Sequence, residues 1–253
     1  MEDAQMVELS RRLNEIDCIF RLHWGRVRAE AGPFVLAAVI FPTATYIFAR
    51  AVADQTTAVR AGRFLVGSVV LSLSLTSISW LGYLLLENRF TGRTKLLATS
   101  PLAPSSYLFG IVAFAAVQTA LGISALLLFA GLSGVQVHLA PVPFIITVLL
   151  AMLCLCGLSV VVATRARSFS EGSLLTDTLG AGLVFFAPVY YSADILPPIV
   201  RPLAEWLPTA CTARALFCAF DGRAAPLPEL LALAAMAGTA LALGARSLRW
   251  TED

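Results

Sequence analysis

The chain has 253 residues, of which 58% are hydrophobic and 13% are charged, and its formal net charge is +2. Soluble domains carry about a quarter charged residues and slightly less than half apolar ones. So much apolar surface cannot be buried in one aqueous core, and so small a positive charge does not suit a nucleic-acid-binding protein. The composition therefore excludes a soluble enzyme, a disordered chain and a nucleic-acid binder, and it predicts a multi-pass membrane protein.

The N-terminal region, residues 1–32, is predicted to form an amphipathic helix on the membrane surface. Its apolar side chains recur at steps of three and four residues, which places them on one face of a helix. Arginines and acids occupy the opposite face, a pattern typical of an interfacial helix. Packing on a soluble partner remains the alternative. The apolar stripe consists of Met6, Leu9, Leu13, Ile16, Phe20, Trp24 and Val27.

The whole chain, residues 1–253, is predicted to be one all-α transmembrane domain, with six spans in residues 33–253. A span needs about 20 apolar residues, because the hydrocarbon core is ~30 Å thick and a helix rises 1.5 Å per residue. Charges, glycines and prolines mark the turns between the apolar runs. The predicted spans cover residues 33–53, 64–86, 106–130, 144–164, 174–193 and 227–245.

Basic residues predict the orientation of these spans. Twelve of the 18 lysines and arginines lie in the N-terminal segment, in loops 87–105 and 165–173, and in the C-terminal tail. Because cytoplasmic loops carry an excess of lysine and arginine, both termini are predicted to lie in the cytoplasm. The richness in alanine and arginine, with a single lysine, favours a bacterial cytoplasmic membrane.

Small polar side chains occur inside two of the predicted spans. Ser68, Ser72 and Thr76 are four residues apart and share one face of span two, and Gln118 is the most polar residue near the middle of span three. Small polar residues at this spacing let helices approach closely and form hydrogen bonds. Helix packing, a contact with a second copy and the lining of a transport path all remain open.

An apolar stretch between spans five and six is broken by prolines and charges into pieces far shorter than a span. Non-helical backbone at membrane depth is tolerated only where protein or water covers it. We therefore expect a pair of short re-entrant helices that enter from the outer face, with an amphipathic outer loop as the alternative. Four aromatic residues are candidates for an outer gate, which an interfacial aromatic belt explains equally well: Phe185, Phe186, Tyr190 and Tyr191. Leu196, Pro197 and Pro208 are further candidates for this gate.

The sequence contains no site for ATP, for a metal ion or for hydrolytic chemistry. Its only lysine, Lys95, follows Thr94, so the phosphate-binding pattern G-x-x-x-x-G-K-[ST] does not occur. The two histidines, His23 and His138, are isolated, which excludes the H-E-x-x-H zinc pattern. No span carries a central acidic or basic residue, as an ion-coupled carrier would be expected to do. Energy for transport is therefore predicted to come from another chain.

Residues 87–110, between spans two and three, have the pattern of a polar turn, a short helix and a proline stop. A short helix joined rigidly to two spans is a suitable attachment point for a partner that moves. Such a partner must favour one state by about 5.5 kcal/mol to switch a pore from 1:99 to 99:1. An ordinary basic loop is the alternative explanation.

This segment resembles the cytoplasmic coupling helix of the ABC-2 family of ABC-transporter permeases. That family has an acid, a Gly-Thr pair, leucines, a Ser/Thr-Pro pair and a Tyr-Leu-x-Gly motif. The sequence departs from it at Arg93, inserted before Thr94, and at Lys95, where an acid is common. The re-entrant pattern of the family is also similar to Val189-Tyr190-Tyr191, Leu196-Pro197 and Leu207-Pro208. The matching coupling positions are Glu87, Gly92, Thr94, Leu96, Leu97, Ser100, Pro101, Tyr107, Leu108 and Gly110.

The resemblance implies an export permease without its own ATPase. Two permeases, identical or related, would pair with two ATP-binding subunits, so that ATP and Mg²⁺ lie on the partner and this chain holds no cofactor. Most relatives export drugs, lipids or lipid-linked glycans. An ion-coupled carrier or channel, and a scaffold subunit without transport, are the competing classes. The residues implied in coupling to the ATPase are Glu87, Gly92, Thr94, Leu96, Leu97 and Pro101.

Overall fold

The structure is a computed structural model that describes residues 2–29, 31–52, 58–99, 102–135 and 138–247. In these residues the chain is helical and contains no strand. Two π-helical segments interrupt the helical runs, Leu36–Ile40 between α2 and α3 and Leu75–Trp80 between α4 and α5. The helices are α1 (Glu2–Ala29), α2 (Ala31–Val35), α3 (Phe41–Val52), α4 (Ala58–Ser74), α5 (Leu81–Phe90), α6 (Arg93–Ala98), α7 (Pro104–Leu132), α8 (Pro141–Arg165), α9 (Phe169–Phe185), α10 (Arg201–Glu205), α11 (Pro208–Phe220) and α12 (Leu227–Ser247).

Long apolar helices form the bundle. Four helices in the described residues are long and apolar enough to cross a membrane, and they coincide with predicted spans two, three, four and six. Predicted span one contains a shorter apolar helix, and predicted span five contains α9, which has 17 residues. The helical membrane architecture is thus confirmed, and the count of six spans stays a prediction. The four helices are Gly62–Phe90, Ser105–Leu132, Pro141–Arg165 and Leu227–Gly244.

Helix α9 has different ends from the predicted span, residues 174–193. It begins at Phe169, where the Ser168 side chain accepts a hydrogen bond from the N–H of Glu171, an N-terminal cap. It ends at Phe185, and residues 186–191 are turns and bends. The predicted C-terminal end was therefore wrong, because Pro188 has no N–H with which to continue the helix.

Helix α1 packs along α7, so at least part of it belongs to the bundle. Ile19 and His23 are buried, and the His23 ring lies 5.6 Å from the Phe114 ring of α7. In contrast, Met6 and Leu13 of the predicted apolar stripe are 65% and 56% exposed. The contact with α7 thus uses the C-terminal half of α1, and the location of the N-terminal half on the membrane surface stays a prediction.

The run formed by α4, its π-helical segment and α5 lies at the centre of the bundle. In its most apolar window 78% of the residues are buried. The Ser74 hydroxyl donates to the carbonyl of Gly180 on α9 at 2.7 Å, and the Ser159 hydroxyl of α8 donates to the carbonyl of Ile78 at 3.0 Å. The second bond reaches a carbonyl of the π-helical segment, where the regular helical hydrogen bonding changes. Side-chain hydrogen bonds therefore hold the central run to both α8 and α9.

The connections between the helices fall at two ends of the bundle. At the end that we call the far end, Arg50 donates to the carbonyl of Ser133 at 3.1 Å. The N–H of Ala140, just before α8, donates to the carbonyl of Ala219 in α11 at 2.8 Å. Helix α6 and the turn after α8 lie at the opposite end, which we call the coupling end.

Candidate functional site

A sharp turn joins the central run to α6 at the coupling end. Gly92 has φ of +76°, a left-handed conformation that glycine adopts without the steric cost of a Cβ. The hydroxyl and the N–H of Thr91 both donate to the carbonyl of Glu87, at 2.6 and 2.9 Å. The N–H of Lys95 then donates to the carbonyl of Gly92 at 3.1 Å and opens α6. The predicted coupling residues Glu87 and Thr94 are half-buried here.

Helix α6 is a short helix with an exposed middle. Leu96 is 72% exposed, and its neighbours Arg93 and Lys95 are also exposed. A single exposed leucine is normal on a protein surface, but here it follows two exposed cations on a helix that links two long apolar helices. Such a helix offers a partner one exposed apolar side chain beside two positively charged side chains. The side chain of Leu97 and the whole of Pro101 lie outside the described residues.

We call residues 87–110 the coupling segment. Two consecutive residues at its beginning, at the end of α5, fix it to other helices. The Asn88 amide donates to the Tyr107 hydroxyl of α7 at 3.0 Å, and both side chains are buried. Arg89 is half-buried, and its Nη1 donates to three carbonyl oxygens at the C-terminal end of α8. From the sequence, Arg89 contributes only to the positive charge of loop 87–105. The acceptors are the carbonyls of Ala163, Thr164 and Ala166, at 3.0, 3.1 and 2.9 Å.

A carboxylate of α1 caps the N-terminus of α7. Glu15, whose side chain is 13% exposed, accepts a hydrogen bond from the N–H of Ala103 at 3.3 Å. The first N–H groups of a helix have no partner within it, so the carboxylate stabilises the beginning of α7. The pKa of Glu15 is lowered from 4.5, mainly by its hydrogen bond with Ser106. Desolvation acts in the opposite direction, and the contacts with Ala103 and Arg11 lower the pKa further. Sequence spacing did not reveal this contact.

The small polar residues of the central run and Gln118 come together inside one chain. Ser68 and Ser72 are 0% exposed, and Thr76 and Gln118 are 1% exposed. The Thr76 hydroxyl donates to the carbonyl of Ser72 at 2.8 Å and forms a 2.8 Å hydrogen bond with the Thr119 hydroxyl of α7. Both polar atoms of the Gln118 amide lack a partner among the described residues. The hydrogen bonds of Thr76 favour helix packing as its role. Nothing in the described residues explains why the amide of Gln118 is buried.

The aromatic candidates for an outer gate point in different directions. Phe185 and Phe186 are 63% and 72% exposed. The Tyr190 ring packs on Gly67 of α4, where an added Cβ would lie within 2.3 Å of a ring carbon. The Tyr191 hydroxyl donates to the carbonyls of Phe185 and Phe186 at 3.0 and 3.1 Å. Tyr191 thus closes the C-terminal end of α9, and the four rings do not form one cluster.

The proline candidates mark helix beginnings in the segment after α9. Leu196 is half-buried and Pro197 is exposed, and the Pro197 carbonyl accepts two backbone N–H groups at 3.0 Å as the chain turns into α10. Pro208 is the first residue of α11, a position at which proline is favoured. Next to it, the Thr209 hydroxyl donates to the carbonyl of Leu183 and fixes α11 to α9. The short helices expected between spans five and six are present as α10 and α11.

An arginine links these short helices to α12. Arg214 of α11 donates to the carbonyl of Glu205, at the end of α10, at 2.8 Å and pairs with Glu229 of α12 at 3.1 Å. Charged residues inside membrane proteins are usually paired in this way. Sequence spacing gives no sign of these contacts, so the role of Arg214 in holding α10, α11 and α12 together is a structural finding.

An apolar groove lies between α9 and α10. Its volume is about 450 Å³, within the range of ~300–1,000 Å³ that is common for small-molecule sites. Its walls are almost entirely aliphatic or aromatic, so it suits an apolar chain or an apolar surface. The lining residues are Leu175, Thr178, Leu179, Gly182, Leu183, Phe186, Val200, Leu203, Ala204 and Leu207.

The composition and the long apolar helices define a multi-pass helical membrane protein. A family model described as ABC-2 type transporter matches residues 20–220, most of the chain. The chain therefore belongs to the ABC-2 type transporter family, which confirms the resemblance in its sequence. Members of this family are transport components rather than catalytic enzymes. A comparison with curated proteins found no match.

Proposed function

We propose that this chain is the permease subunit of an ATP-driven exporter that moves a lipophilic or amphipathic substrate, such as a drug, a lipid or a lipid-linked glycan. Family membership supports the permease role, because ABC-2 permeases normally work with an ATP-binding subunit. The sequence has one lysine, which is not part of a phosphate-binding loop. ATP and Mg²⁺ are therefore bound by the partner subunit. Export of this kind includes drug efflux and resistance.

The observation that carries the proposal is the exposed helix α6 with its fixed attachments. Leu96 and the two cations that precede it, Arg93 and Lys95, are accessible to a partner. Asn88 and Arg89 bind α7 and α8. A force applied to α6 therefore reaches several long helices at once. Closure of the ATP-binding subunits would displace α6 and shift the bundle between two states, for which about 5.5 kcal/mol of differential binding is sufficient.

The proposed transporter contains two permeases and two ATP-binding subunits in a fixed orientation in the membrane. Two permeases, this chain with a second copy or a related chain, enclose the path, and each contacts one ATP-binding subunit. The bundle lies in the bacterial cytoplasmic membrane with both termini in the cytoplasm, since twelve of the 18 basic residues belong to the segments on that side. The aliphatic groove between α9 and α10 supports a substrate or lipid with apolar chains.

The test is to purify the chain in mild detergent, identify the ATPase that remains bound, and measure its ATP turnover in liposomes. Leu96→Asp puts a charge into the proposed contact, and we expect ATPase affinity to fall at least about tenfold, the effect of ~1.4 kcal/mol. Leu132→Asp is the matched control, because Leu132 is 79% exposed at the far end. Normal ATPase binding by Leu96→Asp would contradict the proposal. So would uphill transport, driven by a proton or sodium gradient, in liposomes without ATP.

A further inference from the structure

Arg89 caps the C-terminal end of α8 with one side chain. The last carbonyl groups of a helix have no intrahelical partner and carry a partial negative charge. The Arg89 Nη1 atom lies 2.9–3.1 Å from three such oxygens. The guanidinium carbon also lies 5.4 Å from the centre of the Phe90 ring, a cation–π contact that adds to the restraint on this group. The coupling segment is therefore fixed to α8 at a point only a few residues before α6.

Helix α8 is itself joined closely to α12 along its C-terminal half and is bound to α11 at the far end. A Cβ at Gly157 would lie 2.7 Å from the backbone of Ala240 in α12, and one at Gly244 of α12 would lie 3.1 Å from Val160. Backbones in such close contact move together, because packed interiors deform little. At the far end the N–H of Ala140 is bound to α11. A displacement of the coupling end of α8 is thus transmitted to α11 and α12.

We propose that Arg89 is a positioning residue that makes α8 follow the coupling segment. Through this residue the movement of α6 reaches α11, α12 and the far end by way of α8, in addition to the direct connections of α6 to α5 and α7. The inference rests on the proposed function, since it presumes that a partner moves α6. All three hydrogen bonds come from one nitrogen of the Arg89 side chain, so removal of the donor group releases the three carbonyls together.

The experiment measures amide hydrogen exchange of the complete complex, with its ATP-binding subunits, in nanodiscs. Exchange is compared without nucleotide and with ATP plus vanadate, in peptides covering residues 91–99, 138–145 and 219–226. In the wild type we expect a nucleotide-dependent change in all three. In Arg89→Ala the change in 91–99 should remain, and the changes in the two far-end peptides should be lost. Arg165→Ala, an exposed arginine in the last turn of α8, is the control and should behave as wild type.

The outcomes separate this inference from the proposed function. If the wild type shows no nucleotide-dependent change in 91–99, the proposed function fails. If Arg89→Ala keeps the far-end changes, or loses the change in 91–99 as well, the transmission role of Arg89 is refuted. Should Arg89→Ala not assemble, Arg89→Met carries the same test, because it keeps most of the apolar stem and loses every donor. Arg89→Met should abolish only the far-end changes, and an unaltered far end would overturn the inference.

Discussion

The contact of α1 with α7 can be tested at Gly110, where α7 lies directly against Ile16 and Ile19 of α1. A Cβ at residue 110 would lie 2.7 Å from both Cβ and Cγ2 of Ile19 and 3.1 Å from the carbonyl oxygen of Ile16. Gly110→Ala must therefore push the helices apart. Overpacking of this kind costs about 1–3 kcal/mol, whereas alanine gains about 0.5–1 kcal/mol over glycine inside a helix. The cost outweighs the gain, and we expect a net loss of about 1–2 kcal/mol.

The assay is thermal unfolding of the purified protein in detergent, followed by tryptophan fluorescence. At roughly 2–4 °C per kcal/mol for a chain of this size, Gly110→Ala should lower Tm by about 2–8 °C. Gly131→Ala in the same helix is the matched control, because nothing lies within 4 Å of its added Cβ. It should leave Tm unchanged or raise it. A Tm that rises equally in both variants would refute the packing of α1 on α7 and favour a helix free on the membrane surface.

Three further predictions concern buried or capped polar groups, and the same unfolding assay measures each of them. Gln118→Met removes an amide without a partner among the described residues, so stability should rise by about 1–3 kcal/mol; a decrease would mean that the amide is satisfied. The lowered pKa of Glu15 means that its cap is complete above pH 4.5 and is lost as pH falls through the folded-state pKa. Glu15→Gln should remove this acid-dependent loss, and an unchanged stability–pH curve would contradict the cap. A double-mutant cycle of Asn88→Ala and Tyr107→Phe should give a coupling energy of about 1 kcal/mol, and additive effects would exclude their hydrogen bond.

The sequence was sufficient to locate the long helices but not every end. Predicted span two, residues 64–86, lies inside the run from α4 to α5, and predicted span four, residues 144–164, lies inside α8. Charges or prolines bound both runs, so the hydropathy pattern changes where the helix does. At the end of α9 the side chains remain apolar through Val189, and hydropathy gives no signal. There the end is set by Pro188 and by the Tyr191 hydroxyl, which are local features inside an apolar run.

The candidate site was also only partly predictable from the sequence. Gly92 was predictable as a turn, and its positive φ explains why glycine occupies that position. The partners of Arg89 and Glu15 were not predictable, because their hydrogen bonds join residues 74 and 88 positions apart. In addition, most of the acceptors and donors are backbone groups, which every residue has. A side chain that caps a distant helix leaves no pattern in the sequence except its own charge.

The spacing of the small polar residues in the central run did not reveal their role. Close packing of helices and the lining of a path both favour small hydroxyl side chains at intervals of four residues. The structure separates the two uses by their hydrogen bonds, since Ser74 binds the carbonyl of Gly180 and Thr76 binds Thr119. These hydroxyls are hydrogen-bonded within one chain, which favours a role in packing. Ser72 is equally buried, but its hydroxyl has no partner among the described residues. Burial without a hydrogen bond is costly, so Ser72, close to Gly122 of α7, belongs to the part of the stripe that helix packing alone does not explain.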